Sequence, residues 1–354
     1  MKKVGIITIN DFNNYGNRLQ NYALQEKLLQ LGLDVENILN NNLDTKCKKI
    51  LKDILCLFQR KKKCEIVRKK NFKNFDKDYM KNTNFTIYKD NVKFDMQEKY
   101  DYFIIGSDQV WNYKFNRIPK IDFALFSPKE KNISYAASFG IDNIDKSLEK
   151  QYIEGLNNIN NISTREERGA EIIKELIGKD VPVVLDPTFL IEDKEWNVIV
   201  KKPKEDIKQK YILTYFLGDI SNERKIALQK IAEKYNFKII NLGKIEYEQY
   251  YTAGPSEFLW YIKNSEIVFT DSFHACVFSI IFDKTFYVLD REDKTKSMNS
   301  RIETLLKIFS LQQQRFINWE NISLEHDYIQ VESVLKEERE KSLKFLKKAL
   351  DIGE

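Results

Sequence analysis

One of only two histidines in this 354-residue chain, His274, stands where one apolar run ends and another begins, in IVFTDSFHACVFSIIF (267–282). The pattern predicts a strand, then a helix whose first turn holds Phe273 and His274, with Ser272 as its N-cap. Amide groups at a helix N-terminus bind anions, and an imidazole beside them can donate a proton to a bound group. His274 is therefore a candidate general acid or phosphate ligand, with Ser272 and Phe273 as substrate-binding candidates. The alternative is a histidine that only satisfies a backbone carbonyl.

Arg165 is the second candidate, because it follows a predicted strand within the turn Ser-Thr-Arg-Glu. A guanidinium binds a carboxylate or phosphate through two parallel hydrogen bonds, and Glu166 is placed to orient it. We therefore predict that Arg165 is a catalytic, anion-binding residue at the rim of a cleft. A surface Arg–Glu pair that contributes little is the alternative.

Small and polar residues follow several other predicted strands, and ligands of open α/β sheets bind beyond the carboxyl ends of strands. We expect Gly16 to adopt a positive φ just before a helix. Gln109 offers hydrogen bonds and Trp111 a flat apolar face, which together suit a sugar. The candidates of this kind are Gly16, Asn17, Ser107, Asp108, Gln109, Trp111, Ser138 and Gly140.

These residues depend on an alternation of short apolar runs and helical patterns. The runs that predict strands are 4–9, 34–39, 101–107, 132–138, 160–164 and 181–187, then 211–217, 238–243, 266–272 and 285–290. Helical patterns include 17–32, 222–235 and about 328–350. Such alternation is typical of parallel sheets with helices on both faces, so the predicted fold class is α/β.

The chain length and the two series of strands predict two Rossmann-like domains that face each other across a cleft. The first domain would span 1–195, with a basic helical insertion at about 41–98, and the second 205–325. A C-terminal helix within 326–354 would pack back.

The basic character lies in one segment. The net charge is +5, yet residues 46–81 hold 14 Lys/Arg against 4 Asp/Glu, a surplus that leaves the rest of the chain net acidic. A basic amphipathic helix can lie on an anionic membrane, so we predict peripheral association with an inner membrane face. A solvated helical hairpin is the alternative. Nucleic acid is not expected, because aromatic residues are not interleaved with the basic ones.

The remaining composition limits the class of site and the location. Cys47, Cys56, Cys64 and Cys276 form no C-x-x-C pair and the histidines lie far apart, so we expect neither a metal site nor a disulfide framework. No signal-peptide pattern and no apolar stretch of about 20 residues is present, which predicts a cytoplasmic protein. We assign no role to His326.

Seven stretches in the same order resemble the polysaccharide pyruvyl transferase family. They are NYGNRLQNYALQ (14–25), DYFIIGSDQVWN (101–112), YAASFG (135–140), STREERG (163–169), VVLDPTFLI (183–191), TDSFHACVFSIIF (270–282) and SMNSRIETLL (297–306). The resemblance extends from about residue 4 to about residue 310. It implies a GT-B-like fold, with the acceptor on the N-terminal side and the donor on the C-terminal side.

The resemblance also implies a reaction of bacterial-type surface polysaccharide synthesis. A pyruvyl group would pass from phosphoenolpyruvate, a co-substrate, to two hydroxyls of a sugar or lipid-linked oligosaccharide, giving a cyclic ketal and phosphate without a cofactor. His274 matches the family histidine, and Arg165 matches an arginine that would face it from the other domain.

By the same resemblance Gly16 and Asn17 would line the acceptor side or the floor of the cleft, and Arg301 is a further anion-binding candidate. Many members carry an arginine two residues before the histidine, where it helps to hold the donor. This chain has Ser272 there.

Two other functions stay open at this point. One is a GT-B glycosyltransferase that uses a nucleotide sugar. Ser272 leaves this function open, because it stands where many family members carry a donor-binding arginine. The other is a non-catalytic glycan- or membrane-binding protein, for which replacement of His274 or Arg165 would leave the function intact.

Overall fold

The computed structural model describes residues 1–41, 60–88, 92, 95–115, 117, 119–292, 300–320, 322–325 and 328–353. The chain divides into two compact units. Unit 1 comprises Met1–Phe58, Asp76–Ile191 and Lys336–Glu354, and unit 2 comprises Gln59–Phe75 and Glu192–Leu335.

Unit 1 contains a six-stranded sheet in which every strand pair is parallel. Its strands are β1 (Lys3–Ile7), β2 (Asp34–Asn41), β3 (Asn82–Tyr88), β4 (Tyr102–Gly106), β5 (Asn132–Ala137) and β6 (Asn161–Thr164). They lie in the order β3-β2-β1-β4-β5-β6, which is the strand order of dinucleotide-binding Rossmann folds. The chain changes its winding direction between β1 and β4, and that point is where such sheets bind ligands.

Both faces of this sheet are buried, as the predicted pattern requires. Alternate residues of β4 point to opposite faces, because Phe103 and Ile105 belong to one apolar cluster and Ile104 to another. The α-helices described in residues 1–177 are α1 (Tyr15–Gln30), α2 (Arg60–Tyr79), α3 (Pro119–Asp122), α4 (Glu149–Asn157) and α5 (Glu167–Ile177). The parallel sheet is thus covered on two sides by apolar side chains.

Unit 2 contains a smaller sheet of four parallel strands. Its strands β7 (Tyr211–Tyr215), β8 (Lys238–Asn241), β9 (Ile267–Thr270) and β10 (Phe286–Val288) lie in the order β10-β9-β7-β8. The helices that follow are α6 (Asp193–Ile199), α7 (Asn222–Tyr235), α8 (Glu248–Tyr251), α9 (Pro255–Lys263), α10 (Phe273–Ile281), α11 (Ser300–Ile308) and α12 (Val331–Ala349). Here the winding direction changes between β7 and β9, next to the start of α10.

The predicted α/β class with two parallel sheets is confirmed. One expectation about a strand is wrong. Residues 181–187 form only an isolated bridge, between Thr164 and Val183, because Pro182 and Pro187 have no N–H to donate. The predicted helical insertion at about 41–98 contains the helix α2, and it also contains β3, a strand that was not expected, which pairs with β2 and extends the sheet.

The division of the chain also differs from the predicted boundaries. Residues 59–75, expected within the first domain, group with unit 2, while residues 336–354 group with unit 1. Within unit 1, the Ser342 hydroxyl accepts a hydrogen bond from the Leu185 amide (2.9 Å), and Leu346 and Leu350 join an apolar cluster of the sheet. The final helix therefore contributes to the core of unit 1.

In the part of the chain that the structure describes, no helix is both long enough and apolar enough to span a bilayer.

Candidate functional site

A cavity of about 500 Å³ opens beyond the carboxyl ends of β1 and β4 in the first sheet. Its polar lining is dominated by side-chain amides, from Asn10, Asn14, Asn40, Asn41 and Gln109. Asn40 is held in place because its Nδ2 donates to the Thr8 carbonyl (2.9 Å). Carboxamides both donate and accept hydrogen bonds, which matches the dual character of sugar hydroxyls.

The same cavity is bordered by charged residues and by one aromatic ring. Asp11, Asp108 and Arg117 lie along it, and the guanidinium of Arg117 is paired with the carboxylate of Asp122. The ring of Phe115 also lines the cavity and is 40% exposed. Since Arg117 is already paired with Asp122, the cavity offers a ligand mainly the hydrogen bonds of its amides and the apolar face of Phe115.

Asn17, at the start of α1, is fixed by a buried arginine. Arg18 is fully buried, and its Nε (3.1 Å) and Nη2 (2.8 Å) donate to Asn17 Oδ1. Arg18 is itself held by the Ile9 carbonyl (2.6 Å) and by Asp76 (3.3 Å). Since the oxygen of Asn17 faces a group that can only donate, its Nδ2 is left to donate to Asp108 Oδ2 (3.0 Å).

Asp76 is the last residue of this hydrogen-bonded series, where it pairs with Arg18. Burial raises the pKa of Asp76 above its usual value, although the charge of Arg18 opposes that shift.

Arg165 lies on the other side of Asp108, directly after β6. Its Nη1 is 2.6 Å from Asp186 Oδ2 and 3.3 Å from Ser107 Oγ, and its Nη2 is 3.8 Å from Asp108 Oδ1. Burial alone would lower the pKa of Arg165, but the nearby carboxylates of Asp186, Asp108 and Glu166 raise it, so the guanidinium stays charged. Asp186, rather than the expected Glu166, forms the ion pair that orients Arg165.

Glu166 organises a different loop. Its Oε1 accepts hydrogen bonds from Ser138 Oγ (2.9 Å) and from the amides of Phe139 (2.9 Å) and Gly140 (3.3 Å). Gly140 has a φ of 60°, and a Cβ there would lie 2.0 Å from Gln109 Oε1. Glu166 thus fixes the loop after β5 against Gln109, a residue of the cavity wall.

Two sequence expectations on the first unit are wrong. Trp111 is 1% exposed, stacks on Phe123 and donates from Nε1 to the Asp122 carbonyl (3.1 Å), so its face is covered by the core. Its large apolar area makes burial more favourable than exposure. Gly16 does not adopt a positive φ, because α1 begins one residue earlier, at Tyr15, with Asn14 as its N-cap.

The second group of candidates lies at the start of α10 in unit 2. Ser272 is the N-cap, as predicted, although its side chain makes no capping hydrogen bond and its amide donates to Thr270 Oγ1 (3.0 Å). His274 is 6% exposed, with its ring perpendicular to that of Phe273 at 5.2 Å. Arg301, on α11, places its guanidinium 5.9 Å from the same Phe273 ring. The structure therefore brings Ser272, Phe273, His274 and Arg301 together.

Asp271, which the sequence did not single out, joins two strand ends beside this group. Its carboxylate accepts hydrogen bonds from the amides of Leu217 (2.7 Å) and Gly218 (2.9 Å), which follow β7. Arg291 Nε lies 3.5 Å from the same carboxylate. Asp271 thus holds the loop after β7 against the N-terminus of α10.

The other residues of the candidate site that the sequence did not single out are Arg18, Phe115, Arg117 and Asp186. Arg18 lies inside NYGNRLQNYALQ and Asp186 inside VVLDPTFLI, so these two motifs were the available signal. Phe115 and Arg117 follow β4 without any recognisable pattern. Within the described residues, no group of three His, Cys, Asp or Glu could hold a metal ion. His326, Cys47 and Cys56 lie outside the described residues.

Solved structures that are similar to the chain have low sequence identity to it. A complex of S. aureus MnaA with UDP is 13% identical, covers 100% of this chain and 98% of its own, and has a TM-score of 0.46. Methanocaldococcus jannaschii UDP-GlcNAc 2-epimerase, in complex with UDP-GlcNAc and UDP, is 14% identical, covers 94% and 98%, and has a TM-score of 0.48. Among curated proteins there is no significant match.

The family comparison covers most of the chain. The model of the family described as polysaccharide pyruvyl transferase matches residues 14–293. That range includes the cavity lining from Asn14 to Arg117, the Arg165–Asp186 pair and the start of α10 with His274. This chain therefore belongs to the polysaccharide pyruvyl transferase family.

Proposed function

We propose that this transferase moves a pyruvyl group from phosphoenolpyruvate to two hydroxyls of a sugar, forming a cyclic ketal and releasing phosphate. The observation that carries the proposal is the family match over residues 14–293. The two groups of polar residues at the carboxyl edges of the sheets supply the kinds of side chain that this reaction needs.

The cavity of unit 1 is the proposed acceptor site. Its five side-chain amides pair with sugar hydroxyls, and Phe115 provides a face for the apolar side of the ring. In this proposal Phe115, and not Trp111, provides the flat apolar face for the sugar ring.

The start of α10 is the proposed donor site. Amides at the helix N-terminus and the guanidinium of Arg301 would hold the carboxylate and phosphate of phosphoenolpyruvate. His274 would protonate the methylene carbon of the donor, so that C2 becomes an oxocarbenium-like centre. A sugar hydroxyl attacks C2 and loses its proton, and the second hydroxyl then displaces phosphate from the same carbon. Arg165 would stabilise the anionic groups during transfer.

Calorimetry with phosphoenolpyruvate tests the donor assignment most directly. We expect saturable binding to the wild type and at least about tenfold weaker binding to His274→Ala, since a hydrogen bond to a charged group contributes about 1.5–3 kcal/mol. His326→Ala is the matched control, because it removes the other histidine of the chain and should bind normally. Absence of phosphoenolpyruvate binding with and without sugar glycosides would contradict the proposal.

A second candidate donor is a nucleotide sugar, for which the observation is Ser272, where many family members carry a donor-binding arginine. A panel of UDP- and GDP-sugars in the same calorimetric experiment separates the two donors. Binding of a nucleotide sugar, weakened by His274→Ala, together with no binding of phosphoenolpyruvate would establish a glycosyltransferase instead.

We also propose that the protein works at the inner face of a membrane, where a lipid-linked acceptor would lie. The support is α2, whose side chains are described from Lys63 onward. It buries Cys64, Arg68 and Phe72 and exposes Ile66 and Val67. Around that apolar pair the helix exposes the lysines Lys63, Lys69, Lys70, Lys73 and Lys77, against the acids Glu65 and Asp78. Lysines around an exposed apolar pair suit the headgroup region of an anionic bilayer.

A further inference from the structure

We infer that Asp108 is the general base that takes the proton from the attacking sugar hydroxyl. The inference rests on the proposed function, in which the cavity of unit 1 holds the acceptor. It goes beyond the family match because it assigns the base of the reaction, whereas His274 supplies the acid.

Asp108 occupies the place in the sheet where a ligand is expected. It follows β4 by two residues, at the point where the winding direction changes between β1 and β4. Asp108 lines the cavity and is 5% exposed. A carboxylate in this position meets a bound hydroxyl in surroundings that exclude most water, which strengthens the hydrogen bond between them.

The backbone of Asp108 is held in a strained conformation. Its φ is 63°, in the left-handed region that non-glycine residues seldom adopt. Two hydrogen bonds to its carbonyl, from the amides of Val110 (2.9 Å) and Ser138 (3.0 Å), maintain that conformation. Such strain is retained at functional sites because it aims a side chain.

Polar partners on both sides set the direction of the carboxylate. Asn17 Nδ2 donates to Oδ2 at 3.0 Å, and Arg165 Nη2 lies 3.8 Å from Oδ1. Arg18 orients Asn17, and Asp186 orients Arg165. Arg165 and Asn17 favour the ionised carboxylate, which is the form that a base requires.

The neighbouring carboxylates of Asp186 and Asp11 are less suited than Asp108 to act as the general base. Asp186 is fully engaged, since Oδ1 accepts from the Thr188 amide (3.1 Å) and hydroxyl (2.7 Å) and Oδ2 from Ser107 (2.8 Å) and Arg165 (2.6 Å). Asp186 is therefore an anchor. Asp11 borders the cavity but is exposed to solvent and bonded to the amide of Asn13 (2.9 Å). Asp108 combines contact with the cavity and a fixed orientation.

In the first step, the proton leaves the sugar oxygen for Asp108 as that oxygen forms its bond to C2 of the donor and the acid protonates C3. In the second step, the other hydroxyl displaces phosphate from C2, and its proton passes to the leaving phosphate, because Asp108 already carries the proton of the first hydroxyl. The charged groups near the base are Arg165 at 3.8 Å, with Asp186 and Glu166 beside that guanidinium, and, along the same cavity, Asp11 and Arg117.

The test is phosphate release from phosphoenolpyruvate with a panel of p-nitrophenyl hexosides, using wild type, Asp108→Asn and the control Asp180→Asn, at an exposed carboxylate outside the cavity. The Asp108→Asn substitution keeps the size of the side chain and an oxygen for Asn17, and asparagine tolerates the positive φ. We expect kcat to fall about 10²–10⁴-fold with little change in KM for the glycoside. The kcat–pH profile of the wild type should fall at low pH as the base becomes protonated, and Asp108→Asn should lack that limb.

Chemical rescue separates the base from a structural role. Glycine accepts the φ of 63°, so Asp108→Gly should fold, and added formate should restore part of its activity. A wild type that is active alongside an equally active Asp108→Asn, an Asp180→Asn with an equal or larger loss, or the absence of rescue by formate would overturn the inference alone. A wild type that releases no phosphate with any hexoside would overturn the proposed function, and the assignment of the base with it.

Discussion

Arg165 and Asp186 form a buried ion pair in which Nη1 and Oδ2 lie 2.6 Å apart and neither side chain is more than 1% exposed. Removal of one partner leaves a charge that is neither solvated nor paired. We therefore expect Asp186→Ala to lower the free energy of unfolding by about 3–5 kcal/mol, measured by urea denaturation.

The control for this prediction is Asp180→Ala, which breaks the exposed pair between Lys174 and Asp180. An exposed ion pair contributes about 0–1 kcal/mol, so the midpoint of unfolding should hardly move. Equal losses in the two variants would contradict the assignment of Asp186 as an anchor.

Gly140 and Gly178 allow backbone strain and crowding to be measured separately. Both have positive φ, 60° and 68°, but a Cβ at Gly140 meets Gln109 whereas one at Gly178 meets nothing within 4 Å. Gln109 has little freedom to move away because its Oε1 accepts from Asn112 Nδ2 (2.8 Å). We expect Gly178→Ala to cost about 1–2 kcal/mol of unfolding free energy, the cost of the left-handed backbone. Gly140→Ala should cost more and also weaken glycoside binding, and equal costs would argue against a crowded contact.

Phe115 tests the apolar face of the proposed acceptor site. Phe115→Ala removes roughly 40–50 Å² of apolar contact with a sugar ring, which corresponds to about 1 kcal/mol or about fivefold in Kd. The measurement is calorimetry with the p-nitrophenyl hexoside that the wild type binds best. Tyr247→Ala, at a similarly exposed ring outside the cavity, should bind the glycoside as the wild type does. An unchanged Kd for Phe115→Ala would exclude stacking on this ring.

The lysine face of α2 predicts binding to anionic vesicles. Replacement of Lys63, Lys70 and Lys73 by glutamine should weaken binding to phosphatidylcholine vesicles that contain phosphatidylglycerol by about 100-fold, at about 1 kcal/mol per lysine. Sedimentation with vesicles measures the loss. The matched control replaces the exposed Lys225, Lys230 and Lys234 of α7, where Glu223 and Glu233 are also exposed. Equal loss in both variants would indicate attraction by overall charge, and no loss in the α2 variant would exclude this surface.

Part of this structure was determined by local sequence pattern. The helix predicted at 222–235 is α7 with the same bounds, and strands were expected at or near nine of the ten that are observed. Apolar periodicity is a property of consecutive residues. A strand that is buried on both faces of a parallel sheet is a continuous apolar run, which can be recognised in the sequence. The same local logic placed Ser272 before a helix and His274 in its first turn.

Only the tertiary structure decided which side chains meet. β3 has a polar pattern, and its place in the sheet depends on pairing with β2, about 45 residues away. Trp111 was expected to face a sugar, but Phe123 and Phe139 cover it, and Phe115 lines the cavity instead. Arg165 stands next to Glu166 in the chain, yet its closest carboxylate belongs to Asp186, 21 residues later. The sequence predicts local conformation because helix caps and apolar periodicity depend on neighbouring residues. The partner of a buried charge depends instead on which strand ends the sheet brings together.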